Sequence, residues 1–162
     1  EIDEILQAVK EYDCPVVCVT GGEPLAQKHC LTLLTALCDG GYSVSLETSG
    51  ALPIGAVDPR VARIVDIKTP GSGEADKNLW ENLALLTPHD ELKLVICHEG
   101  DYLWARSVVM ENQLYQRCPV LFSPMVGGIG AADLADRVLA DRLPVRFQMQ
   151  LHKLLWGNVA GK

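Results

Sequence analysis

The hydrophobic positions along the chain alternate between two periods. Apolar residues at the i, i+3, i+4, i+7 spacing of amphipathic helices predict five helices. The helical segments begin near Ile2, Cys30, Asn78, Leu103 and Ala131. Short apolar runs rich in β-branched residues lie between them and end in glycine, proline or polar residues, which predicts strands. The predicted strands cover residues 15–20, 42–47, 63–67, 92–97, 119–123 and 145–151.

Strands that alternate with helices are joined by crossover connections, so the pattern predicts a mostly parallel sheet with helices packed outside it. Most of the runs show little polar alternation, which predicts strands buried on both faces. Six strand-like segments fit an open doubly wound sheet or a partial TIM-type barrel, and periodicity alone leaves both open. Because no linker, repeat or low-complexity tract interrupts the pattern, residues 1–162 are predicted to form a single α/β domain.

Polar or glycine-rich segments follow most of the predicted strands. They cover residues 20–24, 47–50, 66–71, 123–124 and 150–153. In both candidate architectures the ligand site lies at the carboxyl ends of the strands, so these segments predict one convergent site. The first, Thr20-Gly-Gly-Glu-Pro24, lets the backbone approach a ligand and exposes N–H groups. Glycine pairs and Glu-Pro steps are also ordinary turn formers, so the residues alone leave a purely structural turn open.

Composition narrows the classes of function. The 162 residues are 48% hydrophobic and carry a net charge of -7, which favours a folded domain and disfavours binding to nucleic acid or anionic lipid. No apolar stretch is long enough for a membrane helix. The six cysteines include no C-x-x-C pair, so we expect free thiols in a reducing cytoplasm, with Cys18, Cys97 and Cys118 buried.

The word Thr20-Gly-Gly-Glu-Pro24, directly after an apolar strand, resembles the signature of the radical S-adenosylmethionine (SAM) superfamily. This resemblance implies a partial α/β barrel of mostly parallel strands with outer helices. It also implies a [4Fe–4S] cluster that cleaves SAM reductively to a 5′-deoxyadenosyl radical. The cofactor then carries the difficult chemistry, and the protein positions it.

Further segments resemble the 7-carboxy-7-deazaguanine synthase family. They cover residues 46–52, 65–74, 78–82, 121–124 and 146–157, and the Gln-x-His-Lys word at 150–153 is the most discriminating. The resemblance implies a lyase that converts 6-carboxy-5,6,7,8-tetrahydropterin to 7-carboxy-7-deazaguanine with loss of ammonia. This reaction belongs to queuosine and 7-deazapurine biosynthesis and uses SAM, the cluster and Mg²⁺.

The resemblance also assigns roles to single residues. Thr20 and His152 would contact the pterin, and Glu23 would hold the SAM amino group. The full set on the SAM side is Gly22, Glu23, Asp66, Ile67, Lys68, Ser123, Pro124 and Met125. From the residues alone, a structural role is favoured for His152, and Glu47 is either a rim carboxylate or the cap of the turn at 48–50.

Members of this family bind the cluster through three cysteines in a loop after the first barrel strand, upstream of the Thr-Gly-Gly-Glu-Pro word. Cys14, Cys18 and Cys30 do not have that spacing, and the sequence begins with Glu1 rather than methionine. The resemblance therefore predicts a C-terminal part that lacks the first strand, the cluster loop and the Mg²⁺ ligand, and that is inactive alone. It further implies a homodimer and a flavodoxin-type electron donor. The acidic composition and the lack of a long apolar stretch predict no direct contact with nucleic acid or membrane.

Three other functions stay open. A glycyl-radical activating enzyme shares the Thr-Gly-Gly-Glu-Pro word but not the Gln-x-His-Lys ending. A non-catalytic barrel remnant would bind a ligand or a partner through an exposed sheet edge. A phosphate-binding barrel would use the glycines at 71–73 as a cradle, although only Lys68 and Lys77 supply positive charge nearby.

Overall fold

The computed structural model describes residues 1–157 and 159 and contains one six-stranded sheet in which every pair is parallel. The strands are β1 (Val16–Val19), β2 (Ser43–Thr48), β3 (Ala62–Ile67), β4 (Glu91–Ile96), β5 (Val120–Pro124) and β6 (Arg146–Phe147). The α-helices are α1 (Ile2–Glu11), α2 (Cys30–Asp39), α3 (Glu99–Glu111), α4 (Ala131–Ala140) and α5 (Leu151–Trp156).

The strand order decides between the two predicted architectures. The strands lie in the order β1-β2-β3-β4-β5-β6, so each new strand is added on the same side of the last one. A doubly wound sheet would reverse its direction at a switch point, whereas a barrel sheet does not. The prediction of a partial TIM-type barrel with outer helices is therefore confirmed, and the doubly wound alternative is wrong.

The outer face of the sheet packs against the helices and forms the core. Leu46, Leu92, Leu94, Ile96 and Phe122 are fully buried there. Helices α2, α3 and α4 supply the facing side chains Leu34, Leu37, Ala105, Val109, Leu134 and Val138. These crossover helices all cover this one face, because each connection leads to the next strand along.

The opposite face of the sheet is concave and carries polar side chains. In β2, β3 and β4 every second residue is only partly buried, including Glu47, Asp66 and Lys93. The prediction that most strands are buried on both faces is therefore wrong, and it holds only for β5. The reason is the barrel geometry, in which helices cover the outside and the inner face is left for side chains and ligands.

Two predicted elements differ from the structure. The segment 78–86 does not form an α-helix, and only Trp80–Leu85 adopts 3-10 geometry. The segment is also bonded to the loop after β2, since Leu79 N and Asn82 Nδ2 both donate to the Gly50 carbonyl. The predicted strand at 145–151 shrinks to Arg146–Phe147, and α5 begins at Leu151.

All six cysteines are free, as predicted. Cys97 and Cys118 are buried, and burial raises the pKa of the Cys118 thiol to about 11. The prediction that Cys18 is buried is wrong, because this residue lies exposed on the concave face of β1, the strand at one edge of the described sheet. None of the described helices is both long enough and apolar enough to cross a membrane.

Candidate functional site

The turn after β1 presents bare backbone at the carboxyl end of the sheet. Gly21 and Gly22 have φ angles of 100° and 39°, which lie in a region that residues with a side chain rarely adopt. No heavy atom lies within 4 Å of the position that a Cβ would take at either residue. The two glycines are therefore required by the turn conformation, and they leave open space beside the backbone.

The Glu23 carboxylate ties this turn to the end of β2. Its Oε1 accepts hydrogen bonds from Leu25 N at 3.0 Å and from Thr48 Oγ1 at 2.9 Å. Its Oε2 accepts from Ser49 N at 2.8 Å and from the Ser49 hydroxyl. Burial alone would raise the pKa of Glu23, but these donors outweigh burial and lower it. Glu23 is therefore ionised and fixes the turn after β1 to the end of β2. Its contact with the SAM amino group stays a prediction.

The end of β3 places an ion pair beside the turn. Lys68 Nζ lies 2.7 Å from Asp66 Oδ2, and the Lys68 backbone is held from the other side by Asn78. Asn78 Oδ1 accepts from Lys68 N at 2.9 Å, and Asn78 Nδ2 donates to Lys68 O at 2.9 Å. Asp66 Oδ1 is buried and has no hydrogen-bond partner among the described residues. A buried acceptor without a donor is uncommon in folded proteins, which makes Asp66 a candidate ligand-binding residue.

Two cavities meet on the concave face. The smaller one, of about 110 Å³, is lined by Thr20, Gly22, Asp66 and Lys68, among others. The larger one, of about 440 Å³, lies toward β5 and β6. Its lining residues are Glu47, Lys93, Ser123, Phe147, Gln148, Met149, Gln150 and Leu151. Glu47 and Lys93 line both cavities, which are therefore contiguous.

The structure brings together five of the ten predicted site residues. Thr20, Gly22, Asp66 and Lys68 share the smaller cavity, and Ser123 lines the larger one while its hydroxyl donates to Gln148 O at 2.8 Å. The other predicted residues do not line either cavity in the described part of the chain; they are Glu23, Ile67, Pro124 and Met125. His152 belongs to α5, and its side chain lies outside the described residues.

Three of the predicted site residues that do not line the cavities lie in or directly after β3 and β5, and their positions there explain why they are outside. Ile67 is 4% exposed because its side chain points into the core, on the opposite face from Asp66. Pro124 is buried at the end of β5. Met125 follows it in the loop, is 40% exposed, and donates its backbone N–H to Ile96 O at 2.9 Å.

Sequence reasoning missed Lys93, which is central to the site. The signal was present, because Lys93 is the one charged residue between Leu92 and Leu94 in an apolar run. In a strand whose leucines face the core, the residue between them faces the other way. Asn78 and Asn82 were noted only as part of a motif, and their hydrogen bonds to the loops after β3 and β2 became visible only in the fold.

Comparison with known proteins identifies the family. The 7-carboxy-7-deazaguanine synthase of Chlorobaculum tepidum is 48% identical over 158 residues, which cover 96% of this chain and 72% of that protein. The chain belongs to the 7-carboxy-7-deazaguanine synthase family. The synthase of Koribacter versatilis is 40% identical over 95% of this chain and 75% of its own length. These relatives are lyases, and the resemblance read from the motifs is confirmed.

Solved structures agree on the fold. The crystal structure of QueE from Escherichia coli has a TM-score of 0.71 at 20% identity, over 93% of this chain and 63% of that chain. SuiB from Streptococcus suis bound to S-adenosylmethionine has a TM-score of 0.56 at 13% identity, over 83% of this chain and 39% of that chain. No family model matches the chain. The fold is therefore similar to those of QueE and SuiB, and this chain matches a part of the length of each.

Proposed function

We propose that the protein containing this chain converts 6-carboxy-5,6,7,8-tetrahydropterin to 7-carboxy-7-deazaguanine with loss of ammonia, in queuosine and 7-deazapurine biosynthesis. The observation that carries the proposal is the pair of contiguous cavities at the carboxyl ends of the strands. One borders the Thr20–Pro24 turn, and the other is lined by the Gln150 segment. A cofactor and a substrate that react with each other need adjoining sites of this kind.

The smaller cavity fits the polar end of SAM. The open backbone at Gly22 leaves room for a ligand. Asp66 Oδ1, which has no partner among the described residues, can accept from an ammonium group or from ribose hydroxyls. We propose that Thr20, Gly22, Asp66 and Lys68 line this end of the site, with Asn78 fixing the Lys68 backbone. When bound, SAM would supply the radical chemistry that abstracts a hydrogen atom from the substrate.

The described residues do not fit an iron–sulfur cluster, and they form no site of three or more acidic, histidine or cysteine ligands for Mg²⁺. A [4Fe–4S] cluster needs several thiolates that converge on one site. We therefore propose that residues of the enzyme outside these 162 hold the cluster and Mg²⁺, and that this chain alone is inactive.

The larger cavity fits the pterin. Its volume of about 440 Å³ is in the range of sites for small organic ligands. Gln150 Oε1 is buried there without a partner among the described residues, so it can accept an N–H of the ring. Glu47, which is 45% exposed, offers a second acceptor. We propose that these groups orient the ring, together with Thr20 and His152.

The test is an anaerobic assay of the complete enzyme with SAM, a reductant and 6-carboxytetrahydropterin. We expect 5′-deoxyadenosine and 7-carboxy-7-deazaguanine to form only when the pterin is present, as measured by mass spectrometry. Asp66→Asn should raise the KM for SAM, whereas Asp136→Asn, at an exposed position of α4, should not. Turnover that requires a partner protein with a target glycine instead of the pterin would contradict the proposal and favour an activating enzyme.

The remaining proposals concern partners and compartment. We propose a homodimer that receives electrons from a flavodoxin-type donor in the cytoplasm. The free cysteines support a reducing compartment. Exposed apolar side chains on α5 support an interface between copies, since Leu154, Leu155 and Trp156 are 67%, 65% and 51% exposed. Sedimentation equilibrium of the complete enzyme would show a single species of monomer mass if the dimer is wrong.

A further inference from the structure

Lys93 lies at the junction of the two cavities. Its neighbours along β4, Leu92 and Leu94, are fully buried on the outer face, so the Lys93 side chain extends over the concave face. Asp66 on β3 and Leu121 on β5 are its register partners. The lysine is therefore held on a central strand of the sheet, and its position does not depend on a loop.

The ammonium group of Lys93 is poorly satisfied. Its nearest carboxylate oxygen is Glu47 Oε2 at 3.9 Å, which is beyond hydrogen-bond distance. Lys93 Nζ makes no hydrogen bond to any residue that the structure describes, although the side chain is only 21% exposed. An ammonium group carries three donors, and a partly desolvated one is stabilised by an anion. A ligand with a negative group would complete this position.

The other cations near the concave face are less suited to this role. Lys68 Nζ already bonds to Asp66 at 2.7 Å. Arg146 is 69% exposed and lies 3.8 Å from Glu91, which precedes Lys93 on β4 and is therefore nearer the opposite end of the sheet. Of the positive side chains in the described structure, Lys93 alone lines both cavities.

Two residues that line the cavities joined by Lys93 carry a buried acceptor without a donor among the described residues: Asp66, through Oδ1, in the smaller cavity and Gln150, through Oε1, in the larger one. The site therefore offers one positive group between acceptors, which complements a ring that carries a carboxylate and several N–H donors. We propose that Lys93 binds the carboxylate of the pterin substrate and selects 6-carboxylated pterins over those that lack this group. This inference rests on the proposed function.

A purely structural role for Lys93 predicts a different result. If Lys93 only neutralised Glu47, its removal would disturb the whole cavity and weaken every ligand to a similar degree. A carboxylate-binding role predicts weaker binding only for ligands that carry the carboxylate. Comparison of 6-carboxytetrahydropterin with unsubstituted tetrahydropterin therefore separates the two roles.

The experiment is anaerobic titration calorimetry of both pterins, and separately of SAM, with the complete enzyme. Lys93→Gln should weaken binding of 6-carboxytetrahydropterin about 10- to 100-fold, the usual range for loss of a charged hydrogen bond. Binding of tetrahydropterin and of SAM should change less than about threefold, which also shows that the variant is folded. Lys93→Arg keeps the positive charge and should keep most of the preference for the carboxylated pterin. Lys10→Gln, at an exposed position of α1, is the matched control and should leave all three affinities unchanged.

The outcomes separate the two proposals. If the unmodified enzyme binds 6-carboxytetrahydropterin and Lys93→Gln keeps the preference for it, the role of Lys93 is wrong while the proposed function stands. Equal weakening of both pterins in Lys93→Gln, with Lys93→Met giving the same result, would also overturn the role of Lys93. If the unmodified enzyme does not bind this pterin, the proposed function and the role of Lys93 are both wrong.

Discussion

The outer and concave faces of the sheet share the same strands and differ in almost everything else. On the outer face, Leu46, Leu92 and Leu94 are fully buried against helices. On the concave face of the same strands, Glu47 and Lys93 remain partly exposed and line the cavities. The difference teaches that residues next to each other in sequence serve separate tasks, because successive side chains of a strand point to opposite sides. We expect stability to depend on the outer face and ligand binding on the concave one.

The largest expected effect comes from a matched pair of aliphatic substitutions. Leu94→Ala removes a fully buried side chain from the outer face and should lower the free energy of unfolding by about 2 to 5 kcal/mol. Ile64→Ala, on the concave face of the adjacent strand, should cost less than about 1.5 kcal/mol because the side chain is only partly buried. Urea denaturation of both variants measures the difference. Equal losses would show that the concave face is as tightly packed as the core.

A second test uses the ion pair of the outer face. Arg63 lies beside Leu46 in the register and bonds to Asp90, which is 2% exposed. Burial alone would raise the pKa of Asp90, but donors from Arg63 and Thr87 lower it to about 2. Because the folded pKa lies below the unfolded value, this stabilisation is complete above about pH 4 and is lost as the pH falls toward 2.

The loss should be about 2 kcal/mol over that pH range, and it should disappear from the pH dependence of Asp90→Asn. Asp136→Asn, at an exposed position, should keep the full acid loss and serves as the control. Denaturant unfolding at a series of pH values measures both. An unchanged pH profile in Asp90→Asn would mean that other carboxyl groups cause the acid sensitivity.

The smallest effect concerns the rim of the concave face. Ser49→Ala removes one donor to Glu23 and should lower the free energy of unfolding by about 1.5 kcal/mol, because the acceptor is charged. It should also raise the pKa of Glu23, which an NMR titration would report. Ser45→Ala is the matched control, since Ser45 lies on the concave face of β2 and its hydroxyl makes no hydrogen bond to any described residue. A similar loss of unfolding free energy in Ser45→Ala would show that the hydrogen bond from Ser49 to Glu23 does not cause the effect.

Much of the fold could be predicted from local patterns. The strands β2 to β5 lie within a residue or two of their predicted bounds, because short β-branched runs and glycine stops are local signals. The prediction of an α-helix at 78–86 was wrong because Asn82 bonds to Ile54, Leu52 and Gly50, residues far away in the sequence. No local pattern reports hydrogen bonds of this kind.

The candidate site was predicted only in part for a related reason. Thr20, Gly22, Asp66 and Lys68 lie at or just after strand ends, which all parallel sheets bring to the same edge, so their convergence could be expected. Ile67 belongs to the same three-residue word as Asp66, but the two-residue period of the strand turns its side chain into the core. Lys93 lies in mid-strand, where only the burial of its neighbours shows which way it faces.

The sequence by itself determined the alternation of strands and helices, the glycine turn that begins at Thr20, and the family to which the chain belongs. Only the tertiary structure decided that the sheet is wound in one direction, that its concave face is polar, and that Lys93 lies between two cavities. The physical reason is that periodicity and turn chemistry are set by neighbours along the chain. The order of parallel strands and the surroundings of a side chain are set by crossover connections and by packing between distant segments.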